Sequence, residues 1–217
     1  MLDLHIHSNC SDGSLSPQEI IDTALKNNIK TISITDHDGT LAYTKENLLY
    51  AKKQSIKLIP GVEISTRLNT GFHVLGYNFD LNNQELQNTL TKLRNARVDY
   101  LYNVSQKLNQ LGFYINPDKL KDIPSVTKAH IATDIITNPV NEKILHKIFS
   151  HIPTKGEFIE AIMNENCPAF TEKFSITPQE ASRIIHNAGG KVVLAHPVCY
   201  KYEDGIDEAN IDRKSVV

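Results

Sequence analysis

The sequence has few cysteines, no tryptophan and no long apolar run. Its three cysteines, Cys10, Cys167 and Cys199, are odd in number and far apart, and they form no Cys-x-x-Cys pair. This pattern argues against a disulfide framework and against a thiolate zinc site. No apolar stretch approaches the roughly 18 residues that a membrane-spanning helix needs, and no signal segment opens the chain. We therefore expect a soluble, cytoplasmic protein with no membrane partner.

An excess of charge of either sign is also lacking. The formal net charge of −2 argues against the global basic field that binds duplex nucleic acid nonspecifically. Three familiar motifs are absent: the phosphate-binding Walker loop, the dinucleotide G-x-G-x-x-G and the nucleophile elbow G-x-S-x-G. The 217 residues, 40% of them apolar, can bury a sizeable core and suit one large domain or one domain with an insertion.

Local patterns predict an α/β fold whose strands and helices alternate near the start of the chain. Ser16-Pro17 followed by Glu19 is typical of a capped helix start. Because strand, helix and strand follow each other at short spacing, we expect βαβ units in a parallel sheet. The predicted strands are 1–7, 31–35, 56–62 and 72–77, and the predicted helices are 16–28 and 41–54.

The pattern changes to helical from about residue 83 to 165, with leucines and valines on one stripe of a long helix. A helix that begins near Thr177 and a strand over 191–195 then restore the earlier alternation. We predict a barrel-type domain in two parts, 1–80 and 169–198, with a helical insertion over 81–168 and an irregular tail over 199–217.

Histidines and carboxylates recur where the predicted strands end. In parallel α/β sheets these ends meet on one face, where ligands bind. Imidazole and carboxylate groups suit divalent cations, and a glutamate can bridge two of them with its two oxygens. His73 is the exception because it lies near the start of its strand. The strand-end residues are His5, His7, Asp36, His37, Glu63 and His196.

Each of these residues also has a simpler interpretation. His5 and His7 would otherwise be surface histidines, and Asp12 a turn residue. Asp36-His37-Asp38 could form a solvated turn, and His73 could be a satisfied core histidine. The joint pattern nevertheless favours one shared metal site.

Taken together, these motifs resemble the PHP (polymerase and histidinol phosphatase) family. The resemblance is strongest to its stand-alone nucleotide bisphosphate phosphatases and 5′-3′ exoribonucleases, and it runs from residue 1 to about 198. The segments that carry it are His5-x-His7, Asp12, Thr35-Asp36-His37-Asp38, Gly61-Val62-Glu63, Phe72–Tyr77, Ala129–Ala132, Ala188-Gly189-Gly190 and Ala195-His196-Pro197.

The resemblance implies a distorted (β/α)7 barrel with up to three divalent cations, of manganese, iron or zinc, at the strand ends. It implies that Arg97 and His130 contact substrate. The ligand sets it implies are His5, His7 and Glu63 for one cation, Glu63, His73 and His196 for a second, and Asp12 and His37 for a third.

Two departures from the family pattern affect these expectations. Thr127-Lys128-Ala129 stands where relatives usually have an arginine, and no late Asp-x-His motif follows His196. The chain is therefore expected to be C-terminally truncated, with an incomplete barrel. An open barrel edge would allow self-association.

The sequence favours a metal-dependent phosphoesterase that acts on a nucleotide, another phosphorylated small molecule or a short single-stranded nucleic acid. Metal-activated water would attack the phosphate, and His37 or His196 would protonate the leaving oxygen. The first alternative is a catalytically silent PHP domain that binds metal, nucleotide or a partner. The second is hydrolysis of a C–N bond, which ranks last because the strands offer no bridging lysine.

Overall fold

The computed structural model describes residues 1–67 and 71–197. The chain divides into two compact units. The first consists of Met1–Leu93 together with the chain from Ser175 onward, and the second is Arg94–Phe174. The predicted tail over 199–217 lies outside the described residues.

The strands of the first unit form two three-stranded sheets. In the first sheet, β1 (Leu2–Ile6), β2 (Thr31–Ile34) and β3 (Lys57–Leu58) are parallel, in the order β1-β2-β3. In the second, β4 (Gly61–Arg67), β5 (Gly71–Tyr77) and β6 (Lys191–Leu194) are antiparallel, in the order β4-β5-β6. The fold is therefore mixed α/β, and the seven-stranded barrel stays a prediction.

The prediction of a parallel sheet is correct for β1–β3 and wrong for β4–β6. Only three residues separate Arg67 from Gly71, and so short a connection can join antiparallel strands but not parallel ones. The predicted strand over 56–62 is in fact β3 and β4, interrupted at Ile59-Pro60 because proline offers no N–H to a ladder. Glu63 consequently lies inside β4 rather than after a strand.

Two helices begin where the sequence predicts, near Ser16 and Thr177, whereas the helix predicted over 41–54 begins at Lys45. Ser16 and Glu19 form the expected capping box at the start of α1, and Thr44 and Thr177 cap α2 and α7 through their hydroxyls. The helices are α1 (Pro17–Lys26), α2 (Lys45–Lys53), α3 (Gln84–Gln110), α4 (Lys128–Thr137), α5 (Glu142–Phe149), α6 (Lys155–Phe158), which continues as a π-helical turn over Ile159–Met163, and α7 (Pro178–Asn187).

Each unit has its own apolar core. In the first unit, Ile21, Ile32 and Ile34 are buried between the parallel sheet and α1, while Ile64 and Leu90 belong to a second cluster that includes α7. In the Arg94–Phe174 unit, helices pack around a core that includes Phe113 and Phe158. Within the described part of the chain, no helix is both long and apolar enough to cross a bilayer.

Candidate metal centre

The parallel pairing of β1 and β2 places the first histidines at the end of the sheet. His5 lies in β1, and His7 comes two residues after it, directly after the end of the strand. Both side chains therefore lie on one face. Their Nε2 atoms are 3.2 Å apart, with the rings tilted toward each other. The expected His-x-His pair is thus brought together at one point.

Glu63 reaches the same point because the chain after β2 pairs with β4. The Asp38 backbone N–H donates to the Glu63 carbonyl (2.9 Å), and the Glu63 N–H donates to the Asp36 carbonyl (3.2 Å). These bonds join the end of the parallel sheet to the antiparallel sheet, with His37 opposite Glu63. The Glu63 side chain is 1% exposed and is surrounded by histidines.

The two oxygens of the Glu63 carboxylate face two different pairs of histidines. Oε2 lies 3.1 Å from His5 Nε2 and 2.9 Å from His7 Nε2. Oε1 lies 2.8 Å from His73 Nδ1 and 3.1 Å from His196 Nε2. One carboxylate therefore stands between two imidazole pairs, which is the arrangement required of a ligand that bridges two cations.

Antiparallel pairing accounts for the position of His73. Because β5 runs against β6, the start of β5 lies beside the end of β6, and the Ala195 N–H donates to the His73 carbonyl (3.0 Å). His196 follows with a φ of 28°, a value that non-glycine residues rarely adopt. The His73 and His196 rings are 5.2 Å apart, edge to face.

Asp12 and His37 form a further group next to this one. Asp12 Oδ1 lies 3.2 Å from His7 Nδ1, and Asp12 Oδ2 lies 3.4 Å from His37 Nε2. His37 Nδ1 lies 3.6 Å from Glu63 Oε2. His7 and His37 thus connect the Asp12 group to the Glu63 group, so that all seven predicted ligands belong to one continuous cluster.

The histidines strongly favour the ionised form of both carboxylates. Burial by itself would raise the pKa of Glu63, but hydrogen bonds from His196, His5, His7 and His73 hold it far below its usual range. The pKa of Asp12 is held low in the same way by His37 and His7, despite partial burial. Burial would lower the pKa of His7, but its bonds to Asp12 and Glu63 outweigh burial and raise it to about 10.

The spacing of these atoms fits a divalent cation. Zinc binds nitrogen and oxygen ligands at about 2.0–2.2 Å, so two ligands on one ion lie from about 2.8 Å apart, when their bonds meet at a right angle, to about 3.6 Å apart at the tetrahedral angle. The four distances from Glu63 to the histidines, 2.8 to 3.1 Å, and the 3.2 Å between His5 and His7 lie within that range. Three overlapping groups could each hold an ion: His5, His7 and Glu63; His7, Asp12 and His37; and His37, Glu63 and His73.

The two predicted substrate residues lie in the Arg94–Phe174 unit, Arg97 in α3 and His130 in the first turn of α4. Arg97 is 5% exposed, and its Nη1 donates to the Val126 carbonyl (3.1 Å). Thr127 donates its backbone N–H to His130 Nδ1 (3.0 Å). Since that nitrogen accepts a hydrogen bond, the proton of a neutral His130 ring is on Nε2. Arg97 and His130 therefore both form hydrogen bonds with the backbone of the two residues that precede α4.

Asp36 and Asp38 do not form a solvated turn, because they are 1% and 0% exposed. Asp36 accepts hydrogen bonds from Ser8 and Ser11, and Asp38 Oδ1 accepts one from the Ser65 N–H (2.8 Å). Neither serine belongs to a motif that predicts this role. One feature of the sequence could have predicted it. Carboxylates that directly follow an apolar strand are costly to bury unpaired, so nearby hydrogen-bond donors are expected.

Comparisons with known proteins agree with this geometry. The sequence profile of the PHP domain matches residues 3–188. The chain is 30% identical over 201 residues to a 5′-3′ exoribonuclease of Haemophilus influenzae, covering 91% of this chain and 69% of that protein. It is 29% identical over 203 residues to the 5′-3′ exoribonuclease Rnm of Escherichia coli, and the match covers 91% of this chain and 66% of that protein.

A relative named for a different activity is also similar. The chain is 26% identical over 204 residues to a 3′,5′-nucleoside bisphosphate phosphatase of Chromobacterium violaceum, and the match covers 92% of this chain and 67% of that protein. The chain spans about two thirds of the length of these relatives.

Solved structures share the fold. A crystal structure from Bifidobacterium adolescentis, assigned to the metal-dependent phosphoesterases, superposes with a TM-score of 0.79 at 21% identity and covers 98% of this chain and 73% of that one. An amidohydrolase of Chromobacterium violaceum with bound sulfate superposes with a TM-score of 0.78 at 24% identity and covers 98% of this chain and 71% of that one.

Proposed function

The chain belongs to the PHP family of metal-dependent phosphoesterases, and from that premise we propose that it hydrolyses phosphate esters of nucleotides or short oligonucleotides. Two relatives are named for 5′-3′ exoribonuclease activity and one for phosphatase activity on 3′,5′-nucleoside bisphosphates. These substrates share a phosphate ester on a ribonucleotide, which is the substrate class proposed for this chain.

The observation that carries the proposal is the position of Glu63 between two histidine pairs. A buried carboxylate with ligand atoms about 3 Å from each oxygen supports two neighbouring cations, one held with His5 and His7 and one with His73 and His196. Divalent cations bound there supply Lewis acidity, which acidifies water and neutralises negative charge on a phosphoryl group. Manganese, iron and zinc all suit imidazole and carboxylate ligands.

Protein side chains supply the remaining requirements. His37 and His196 are our candidates for donating a proton to the leaving oxygen when they are not coordinated to a cation, because both are histidines of the cluster that retain some solvent exposure. Arg97 and His130 are our candidates for binding the substrate. With its proton on Nε2, His130 can donate a hydrogen bond to a phosphate oxygen.

The proposal is tested by measuring phosphate release from adenosine 3′,5′-bisphosphate and nucleotide release from a 5′-phosphorylated RNA trimer. Each is assayed with manganese, iron(II) or zinc and with a chelator. We expect metal-dependent hydrolysis of at least one substrate, a loss of about 100-fold or more in Glu63→Gln, and no change in His186→Ala, whose side chain is exposed on α7.

The outcome decides between catalysis and binding alone. Hydrolysis that survives Glu63→Gln would contradict the bridging role of the carboxylate. Cation binding without cleavage of either substrate would instead identify a PHP module that binds metal or nucleotide and does not catalyse hydrolysis.

A further inference from the structure

Asp36 is a buried carboxylate that belongs to none of the three groups that could hold a cation. It directly precedes His37, it is 1% exposed, and no lysine or arginine pairs with it within residues 1–67 and 71–197. Instead it accepts three short hydrogen bonds: from the Ser8 N–H (2.7 Å), the Ser8 hydroxyl (2.6 Å) and the Ser11 hydroxyl (2.6 Å). A carboxylate buried among neutral donors stabilises the arrangement of those donors, because each bond to a charged acceptor is strong.

The donors belong to the loop that carries two of the predicted ligands. Ser8 follows His7 directly, and Ser11 precedes Asp12. The Ser11 and Gly13 N–H groups both donate to the Ser8 carbonyl at 3.0 Å, so the loop folds back over Ser8. Asp36 thereby ties this loop to the end of β2.

Ser11 also contacts the ligands themselves. Its Oγ lies 2.6 Å from Asp36 Oδ1, 3.3 Å from His7 Nδ1 and 3.4 Å from Asp12 Oδ1. A hydroxyl has one proton, and the shortest contact shows that it goes to Asp36. Toward His7 the Ser11 oxygen is therefore an acceptor, as is the Asp12 carboxylate 3.2 Å from the same nitrogen.

Two acceptors at Nδ1 determine which nitrogen of His7 can hold a cation. In the neutral ring, which is the form that binds a cation, the proton is on Nδ1 and the lone pair is on Nε2, the nitrogen 2.9 Å from Glu63 Oε2 and 3.2 Å from His5 Nε2. This arrangement, in which the outer nitrogen of a ligating histidine donates to an oxygen, orients the ring and strengthens it as a ligand.

We propose that Asp36 is a positioning residue that acts through Ser11, orienting His7 so that its Nε2 faces Glu63 and holding the loop that presents Asp12. The proposal rests on the proposed function, since it takes the Glu63 cluster to be a cation site. Asp36 itself contacts neither cation nor substrate in this assignment.

The test compares four variants of the 217-residue chain for zinc binding by calorimetry. Ser11→Ala removes the hydroxyl that links Asp36 to His7, together with its longer contact to Asp12, and Asp36→Asn removes the negative charge of the Asp36 carboxylate. Ser14→Ala is the matched control, because Ser14 is an exposed serine of the same loop, and Glu63→Gln removes the central ligand. We expect Ser11→Ala to weaken zinc binding by about 10- to 100-fold, with Ser14→Ala unchanged.

A second readout separates orientation from general loosening of the fold. In ¹⁵N NMR spectra of the zinc-loaded parent, His7 is expected to be protonated at Nδ1 and coordinated through Nε2, and this signature is expected to be lost or mixed in Ser11→Ala. Since Asp36→Asn leaves an amide facing other donors and can unfold the loop, Ser11→Ala provides the decisive comparison.

The outcomes distinguish this inference from the proposed function. If the parent and Glu63→Gln both fail to bind zinc, the metal site itself is wrong. If the parent binds zinc and Glu63→Gln does not, while Ser11→Ala binds as tightly as Ser14→Ala and keeps the His7 signature, the positioning role of Asp36 is overturned.

Discussion

At the residue scale, the candidate metal centre depends on a single carboxylate whose oxygens are shared by four imidazoles. Glu63 is 1% exposed, and burying a charge at that depth is costly without partners. His5, His7, His73 and His196 compensate by hydrogen bonding, and the same contacts keep Glu63 ionised. Such a cluster is stable only with positive charge between its members, either on protons or on a cation.

The residue types of the cluster could be predicted from the sequence, because a ligand is recognised by its own chemistry. Predicted strand ends indicate one shared site, and they place His5, His7 and His196 correctly. They also place Glu63 at a strand end, although it lies inside β4, and they leave the position of His73 unexplained. The position of Glu63 follows from the pairing of β4 with the chain after β2, and that of His73 follows from the pairing of β5 with β6, neither of which a local pattern contains.

His130 gives a residue-scale prediction about substrate. Replacing it in His130→Ala removes an Nε2 donor, and a hydrogen bond to a charged group contributes about 1.5–3 kcal/mol. We therefore expect kcat/KM for the preferred substrate to fall by roughly 10- to 150-fold while the metal content stays unchanged. His146→Ala, at an exposed position of α5, is the control. An unchanged kcat/KM in His130→Ala would remove this residue from the substrate site.

At the element scale, the position of β4 is fixed by close packing at its first residue. A Cβ atom added to Gly61 would lie 2.0 Å from Ser33 Oγ and 2.9 Å from Thr35 Cγ2. The Tyr43 hydroxyl lies beside the same point and bonds to the Ile34 and Ile59 carbonyls at 2.7 and 2.8 Å. Only glycine lets β4 approach β2 closely enough to deliver Glu63 to the cluster.

Gly61→Ala is therefore expected to destabilise the protein by about 1–3 kcal/mol, the usual cost of overpacking a core. Urea unfolding in the presence of a chelator measures the change without any contribution from metal. Gly156→Ala is the control, since its added Cβ would meet nothing nearer than Thr154 Oγ1 at 4.0 Å. A Gly61→Ala protein as stable as its parent would show that β4 has room to shift.

Helices were easier to predict than strand pairing for a physical reason. A helix start depends on neighbours within one turn, so Ser16 and Glu19 suffice to mark α1. A strand pairs with residues far along the chain: β5 pairs with β6 more than 100 residues later. The prediction of one parallel sheet failed because the strand was taken to end at Glu63, which concealed the three-residue connection to β5.

At the scale of the whole molecule, the cluster collects ligands from the two ends of the first unit. The predicted ligands run from His5 to His196 along the chain. Cations bound to all of these segments would be lost on unfolding, so binding free energy adds to the free energy of unfolding.

Thermal unfolding tests this coupling. At a free metal concentration 100 times the Kd, binding adds about 2.7 kcal/mol, which corresponds to a rise of roughly 5 to 10 °C in Tm for a chain of this size. We expect manganese or zinc to raise the Tm of the parent by that amount, and we expect a chelator to reverse the rise. In Glu63→Gln we expect metal to raise the Tm much less than in the parent. A Tm that is independent of metal in the parent would contradict a structural link between the segments.

The most direct test of the central claim is the metal content of the chain, measured by elemental analysis after purification without chelator or affinity metal. We predict at least two equivalents of manganese, iron or zinc per chain, because the two oxygens of Glu63 serve two histidine pairs. A value near zero that stays there after manganese is added would contradict the assignment of this cluster as a metal centre.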